Sequence, residues 1–254
     1  NLDGNIGNGK AQLLFQYLNA RKEKGVYLGA NAALGRRGIR MKFFPENPIL
    51  VYRPFHLNER NYLYLADRGR IYGDVRLFDD QGTGIHFYTN REDTIADQEM
   101  TVELSRIDLK QFKKVLPYLP DVEGWLGASL HYVDSEGQMM LSADMNLDNF
   151  VYEKSPLGNW TMSGAYLPGD NNAHHVDGFI TYNNQEIIYM NGVYQADETG
   201  QENITGELEL QHFPLRVINP FIPEKMVAFT GDIDGTLTKT GSPMKPVLNG
   251  ALQP

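Results

Sequence analysis

Alternation of apolar and polar residues with a period of two is the main pattern along this chain. The clearest example is 141–148, where Leu141, Met145 and Leu147 share one side and Ser, Asp and Asn residues occupy the other. Further strands are predicted at 70–77, 100–104, 178–182 and 204–210. No helices of ten or more residues alternate with these strands, so the pattern excludes parallel βαβ units. The sequence predicts an all-β fold with an antiparallel meander.

Two short helices are predicted in addition to the strands. Between Ala11 and Lys24 apolar residues recur at spacings of three and four, and Gly25 follows as a stop signal. Residues 1–24 are therefore interpreted as a helical leader. A second helix is predicted at Leu109–Leu116, because Asp108 is placed to cap it.

Composition limits the classes of function. The formal net charge of −9 gives a surface that repels polyanions such as nucleic acid. Cysteine is absent, which excludes disulfides, thiolate metal sites and a cysteine nucleophile. No apolar stretch approaches the ~18 residues that a membrane-spanning helix needs. Because the sequence also begins at Asn1, we interpret it as part of a longer chain whose anchor lies elsewhere.

Three sequence blocks recur in the same order, with offsets between 103 and 107 residues. The pairs are Glu103–Leu109 with Glu209–Leu215, Pro117–Asp121 with Pro220–Glu224, and Val122–Leu130 with Phe229–Leu237. We therefore predict tandem β repeats. The predicted divisions are a β segment at 25–100, one repeat unit at 101–205 and a truncated next unit at 206–254. The alternative is an old duplication inside a closed β-sandwich.

The second copy resembles the TamB family of translocation and assembly modules. The resemblance is carried by Phe213–Pro223, Thr230–Leu237 and Gly241–Gly250, and the last block is the most specific. The copy at 102–130 is a looser version that lacks the terminal Gly-Ser-Pro block. Residues 1–100 resemble the family only in their β character.

The resemblance implies an AsmA-like, bridge-type lipid transfer protein of the Gram-negative cell envelope. Such a protein is anchored in the inner membrane and crosses the periplasm towards an outer-membrane barrel assembly partner. The implied fold is a β-taco, a long antiparallel sheet curled into an open groove with an apolar inside, with short helices between repeats. The implied role is phospholipid transport and protein assembly in outer membrane biogenesis. The family has no catalytic motif, so we expect neither an enzyme nor a cofactor.

Five residues are candidates for lining such a groove and contacting phospholipid acyl chains. They are Leu141, Met145, Leu147, Leu208 and Leu210. Alternation alone fits a filled core equally well, and polypeptide cargo fits the same groove. A second function class is a β-sandwich adhesion or glycan-binding module, which the abundant Tyr residues with Trp125 and Trp160 suggest.

Other chemistry-bearing residues form no recognisable site. His174 and His175 are adjacent, so on a strand they point to opposite faces and cannot share a metal. Asp232 and Asp234 lack the remaining ligands of a calcium loop. No spacing selects a pair of catalytic carboxylates. We therefore predict no metal site.

Overall fold

The computed structural model describes residues 2–90, 96–114, 116, 118–196, 202–222, 227–242 and 247–253. Within these residues the protein is all-β, with strand making up 72% of it. The chain divides into two compact units. Unit 1 comprises 1–119 and 126–136, and unit 2 comprises 120–125 and 137–254.

Ten strands lie wholly in unit 1: β1 Leu2–Gly7, β2 Lys10–Leu18, β3 Lys24–Gly35, β4 Gly38–Leu50, β5 Arg53–Pro54, β6 His56–Leu57, β7 Tyr62–Ala66, β8 Ile71–Phe78, β9 Gly84–Thr89 and β10 Gln98–Asp108. Strand β11, Val122–Ser135, contributes residues to both units. Seven strands lie in unit 2: β12 Gln138–Tyr152, β13 Ser155–Pro168, β14 Ala173–Tyr182, β15 Gln185–Ala196, β16 Glu202–Pro214, β17 Asp232–Gly241 and β18 Val247–Gln253. Short 3-10 helices occupy Asp67–Gly69, Leu109–Lys114, Asp170–Asn172 and Leu215–Phe221.

Unit 1 is built from antiparallel neighbours. The pairing runs β1–β2–β3–β4, continues from β4 to β7 and proceeds through β8 and β9 to β10. The two-residue strands β5 and β6 pair with β4 and β8. Strand β4 contains Pro45 and Pro48 at the point where its register with β3 jumps, so these prolines interrupt no regular ladder.

Unit 2 is a meander in which each strand from β12 to β18 pairs antiparallel with the next one along the chain. Two of the described connections are two-residue turns with positive φ, Glu153-Lys154 between β12 and β13 and Asn183-Asn184 between β14 and β15. Asn183 and Asn184 connect β14 to β15 with φ values of 49° and 68°. Asparagine adopts this conformation more readily than most residues do. The prediction of an all-β, antiparallel sheet that stays open is confirmed here.

The predicted N-terminal helix is wrong. Residues 10–18 form β2, which pairs with β1 on one side and with β3 on the other, so the predicted helical leader at 1–24 contains the hairpin β1–β2 instead of a helix. Asn8 and Gly9 have φ values of 52° and 71° and make the two-residue turn between β1 and β2. An Asn-Gly pair between extended segments is a strong hairpin signal. The apolar residues Leu13, Phe15 and Tyr17 alternate, and this period of two describes the segment correctly.

The second predicted helix is present in shorter form, as the 3-10 helix Leu109–Lys114. Asp108 Oδ1 accepts a hydrogen bond from the backbone N–H of Lys110 at 3.0 Å, so the predicted cap is confirmed. Leu116 N–H donates to the carbonyl of Phe112 at 2.8 Å. Val115 and Pro117 lie outside the described residues, as do Pro223–Met226 and Pro243–Pro246 of the recurring and family-like blocks.

Few side chains in unit 2 are fully buried. The buried apolar residues described there are Leu157, Ala173, Ile187 and Val217, and Ile187 is only 1% exposed. Leu157 lies near the start of β13, Ile187 near the start of β15, and Val217 in the helix that follows β16. The small core of unit 2 therefore belongs to strand ends and to this helix, and the broad middle of the sheet is not part of it.

Candidate functional site

Cross-strand register places apolar side chains in continuous rows across unit 2. Met145 pairs with Met162, Met162 with Ile180, Ile180 with Ile188, and Ile188 with Leu210. Directly paired residues in an antiparallel sheet point to the same face. A neighbouring row runs from Ala143 through two glycines to Met190, Leu208 and Leu237.

These rows define a surface that we call the apolar face of unit 2. Its large side chains are Leu141, Met145, Leu147, Trp160, Met162, Tyr166, Val176, Ile180, Tyr182, Ile188, Met190, Tyr194, Ile204, Leu208, Leu210, Leu237, Leu248 and Leu252. Polar residues on the same face include His174, Gln185, Glu202 and Lys239. The face spans seven strands, so neighbouring-strand spacing makes it about 29 Å wide.

The apolar face of unit 2 is not covered by its own unit. Val176 is 44% exposed and Leu248 is 72% exposed, and the remaining large side chains of the face are all at least partly exposed. A packed core would bury most of these side chains almost completely. Continuous exposed apolar surface of this kind marks a place where a protein meets lipid, ligand or another protein.

Paired glycines lie in the middle of the apolar face of unit 2. Gly164 pairs with Gly178, and Gly192 pairs with Gly206 one row further along. A Cβ added at Gly192 would meet its nearest neighbour, the Thr205 carbonyl oxygen, at 3.5 Å, which is an ordinary contact. Packing within the strand does not require glycine at Gly192. The glycines leave a shallow depression, where backbone is exposed between flanking Met, Leu and Tyr side chains.

The opposite face of the same strands is mainly polar. On β12 it carries Ser142, Asp144, Asn146 and Asp148, and on β16 it carries Asn203, Thr205, Glu207 and Glu209. Ser163 Oγ donates to Asp144, and Asn146 Nδ2 donates to Asp148 Oδ2 at 3.2 Å. These groups are hydrated or bonded to each other, so this side of the sheet stays in contact with water.

All five predicted lining residues lie on the apolar face of unit 2. Leu141, Met145 and Leu147 come from β12, and Leu208 and Leu210 come from β16. All five are partly exposed. Four strand spacings separate β12 from β16, about 19 Å, so the two groups are distant members of one surface.

Sequence reasoning missed a similar surface in unit 1. Leu13 pairs with Ala30 and Ala30 with Phe43, while Phe15 pairs with Leu28. Leu13 and Phe15 are 42% and 49% exposed. The predicted helix over these residues hid the alternation that could have revealed this face.

A bend in β16 lies just after Leu210, the last residue that this strand contributes to the apolar face of unit 2. His212 has a φ of 48°, and the register between β16 and β17 shifts between Leu210 and Phe213. The backbone N–H of His212 donates to Asp234 Oδ1 at 2.7 Å, and His212 Nδ1 lies 2.7 Å from the same oxygen. The backbone bond first, and the imidazole second, hold the pKa of Asp234 below its ordinary value.

We expect a His212→Gly variant to retain most of the lowering of the Asp234 pKa, because it keeps the backbone N–H and glycine tolerates positive φ. The pKa of Asp234 should rise only part of the way towards its ordinary value in a carboxyl-carbon NMR titration. A pKa that returns to the ordinary value would contradict the backbone assignment.

The lowered pKa of Asp234 also makes stability depend on pH. Because the pKa of this carboxyl is lower in the folded protein than in the unfolded chain, the carboxylate stabilises the folded unit at pH values above the unfolded-state pKa of Asp234. That contribution is lost as pH falls through the folded pKa.

The adjacent residues His174 and His175 lie on opposite faces of β14. His174 Nδ1 lies 2.5 Å from Tyr166 Oη and its ring stacks on that of Tyr166, whereas His175 pairs with Leu167 and Val193 on the other face. In the described part of the chain, no three His, Asp or Glu side chains come together in a way that could hold a metal.

No family model, curated protein or solved structure matches this chain. Among the helices of the described residues, none is both long and apolar enough to cross a membrane.

Proposed function

We propose that the chain is a segment of a periplasm-spanning envelope protein whose apolar sheet faces carry phospholipid acyl chains towards the outer membrane. The observation that carries this proposal is the uncovered apolar face of unit 2. Its partly exposed Leu, Met, Ile and aromatic side chains continue through seven paired strands. A face that is exposed over this width needs an apolar occupant.

The energetics of lipid transfer require such a surface. A two-chain phospholipid in water exposes about 30 methylenes, which at ~0.8 kcal/mol each costs roughly 24 kcal/mol. A strip of apolar side chains removes that cost while the headgroup remains in water. The polar reverse face keeps the other side of the sheet hydrated, so the same strands serve both environments.

The proposal includes tandem repetition, because recurring units would extend the face. Strands β10 and β16 each end in a 3-10 helix, and each contains a non-glycine residue at φ 48°, Arg106 and His212. Leu104 pairs with Ile85 and Leu210 pairs with Ile188, so both members of this recurring position lie among apolar partners. These likenesses at an offset of 106 residues support the repeat.

The cellular context of the proposal comes from the TamB-like motifs. They support an AsmA-like protein anchored in the inner membrane by a segment outside these residues, with an outer-membrane barrel assembly protein as partner. The net charge of −9 fits a zwitterionic lipid better than an anionic polymer. The proposal requires no chemical step by the protein, because transfer only moves the lipid.

Photo-crosslinking tests the proposal. The protein is incubated with phosphatidylethanolamine that carries a diazirine near the end of one acyl chain, irradiated, digested and sequenced by mass spectrometry. We expect adducts on Met145, Met162, Leu208 and Leu237 and not on their strand neighbours Asp144, Thr161, Glu207 and Thr238.

The matched control is the same lipid with the diazirine on its headgroup, which should spare the apolar face. Equal labelling of both faces would contradict lipid carriage by this face. An absence of adducts, together with crosslinking of an unfolded barrel-protein peptide to the same residues, would replace lipid by polypeptide as the cargo.

A further inference from the structure

Unit 1 contains a pocket of about 340 Å³, distinct from the apolar face of unit 2. Val26 and Leu50 form one wall, Ile85 and Ile107 form another, and Phe112 of the 3-10 helix Leu109–Lys114 lies over them. The volume falls within the range of about 300–1,000 Å³ that is usual for small-molecule sites.

The pocket surface is almost entirely carbon, although polar residues contribute to its walls. Thr83 Oγ1 and Gln111 Oε1 have no hydrogen-bond partner, and both are inaccessible to solvent, so these two residues present their carbon atoms to the pocket. Gln111 Nε2 donates to Asp108 Oδ2 at 2.7 Å. The pocket therefore offers a ligand no accessible hydrogen-bonding atom from Gln111 Oε1 or Thr83 Oγ1.

The one cation in the wall is already neutralised. Arg53 Nη2 lies 2.6 Å from Asp79 Oδ2 and 2.9 Å from Gln81 Oε1, and the Asp79 side chain is 5% exposed. A carboxylate or phosphate head would have to compete with this partly buried ion pair in order to bind Arg53, whose side chain is 28% exposed. The wall thus selects against a charged group inside the pocket.

Local hydrogen bonds stabilise both ends of the 3-10 helix Leu109–Lys114. Asp108 caps the helix through the Lys110 N–H, and the bond between Leu116 N–H and the Phe112 carbonyl holds its C-terminal end. Ile85 and Phe112 are 39% and 37% exposed and form the rim, so the pocket is reachable from solvent. An apolar cavity of this kind is a poor host for water and a good one for hydrocarbon.

We propose that this pocket binds the end of one unbranched hydrocarbon chain of an amphiphile, with the headgroup outside the rim. This site goes beyond the proposed function, which concerns broad sheet faces, and it stands or falls independently of it. A pocket of this size fixes a single chain at a defined place, whereas an open face lets both chains of a lipid lie along it.

The test uses methyl NMR of the whole chain, labelled at Ile, Leu and Val methyls and titrated with n-decylphosphocholine below its critical micelle concentration. We expect the methyl signals of Val26, Leu50, Ile85 and Ile107 to shift together and saturate with one equivalent of ligand. Unchanged pocket signals up to the micellar limit would overturn the proposal, even if Leu141, Leu208 and Leu210 respond. Pocket shifts without any response on those three residues would support the pocket and count against the proposed function.

Two matched tryptophan variants locate the binding. Ile85→Trp fills the rim, and we expect it to weaken binding at least about tenfold. Ile39→Trp places the same ring at a residue that is 38% exposed on β4 and does not line the pocket, so its affinity should be unchanged. Equal affinities of the two variants would overturn the site. If Ile85→Trp fails to fold, Ile85→Phe with the same Ile39→Phe control gives a smaller loss in the same direction.

Discussion

Replacing Met145 and Leu147 by aspartate should remove co-purifying phospholipid from the protein, as measured by native mass spectrometry. Both residues lie on the apolar face of unit 2 and are partly exposed, so the new carboxylates reach water and the strand still folds. An acyl chain that lay across the apolar face of unit 2 would have to desolvate these two charges. We expect the fraction of lipid-bound protein to fall at least about tenfold.

The control for this pair is Ser142→Asp with Asn146→Asp on the opposite face of the same strand. It adds the same two charges, and it places them beside Asp144 and Asp148, so it is the harsher change in local charge. The control should keep its lipid. Equal loss in both double variants would attribute the effect to charge or stability and would contradict the assignment of the face.

Truncating Ile187 to alanine should lower the free energy of unfolding by about 2–5 kcal/mol, because Ile187 is 1% exposed and its removal leaves a cavity. Met162→Ala should cost less than about 1 kcal/mol, since Met162 is 39% exposed on the apolar face. Urea unfolding followed by tryptophan fluorescence measures both. The two tryptophans, Trp125 and Trp160, belong to unit 2 and report on it directly.

This comparison also separates a filled core from an open face. If the apolar face of unit 2 were a packed interior, Met162→Ala would be as costly as Ile187→Ala. Trp160 is a sensitive probe of the difference, because its Nε1 donates to the Leu157 carbonyl at 2.8 Å and its ring lies 4.9 Å from that of Tyr182. Equal losses of stability would therefore contradict the proposed open surface.

The strands were predictable where one face is apolar and the other polar. The alternation at 141–148 correctly predicted a strand and the side chains that share each of its faces, since both depend only on the period of two. The segment at 11–24 failed because Leu14 and Leu18 also fit a spacing of four, and the Asn8-Gly9 turn signal was passed over. Local periodicity is ambiguous in such short windows, and pairing with β1 and β3 decided the outcome.

What covers an apolar face was not predictable. Leu208 and Leu210 would alternate in the same way in a closed sandwich and in an open sheet, because alternation reports the presence of a dry side and not its contents. The pocket of unit 1 was hidden for another reason. Its walls come from positions as far apart as Val26 and Leu116, and only the fold brings them together.

The strand order of unit 2 has a consequence for how the protein is made. Every pairing from β12 to β18 joins strands that follow one another along the chain, so the topology has low contact order. The sheet can therefore grow at one edge, strand by strand, as the chain is delivered from its N-terminus. Each newly paired strand is the template for the next, and assembly needs no distant segment to arrive first.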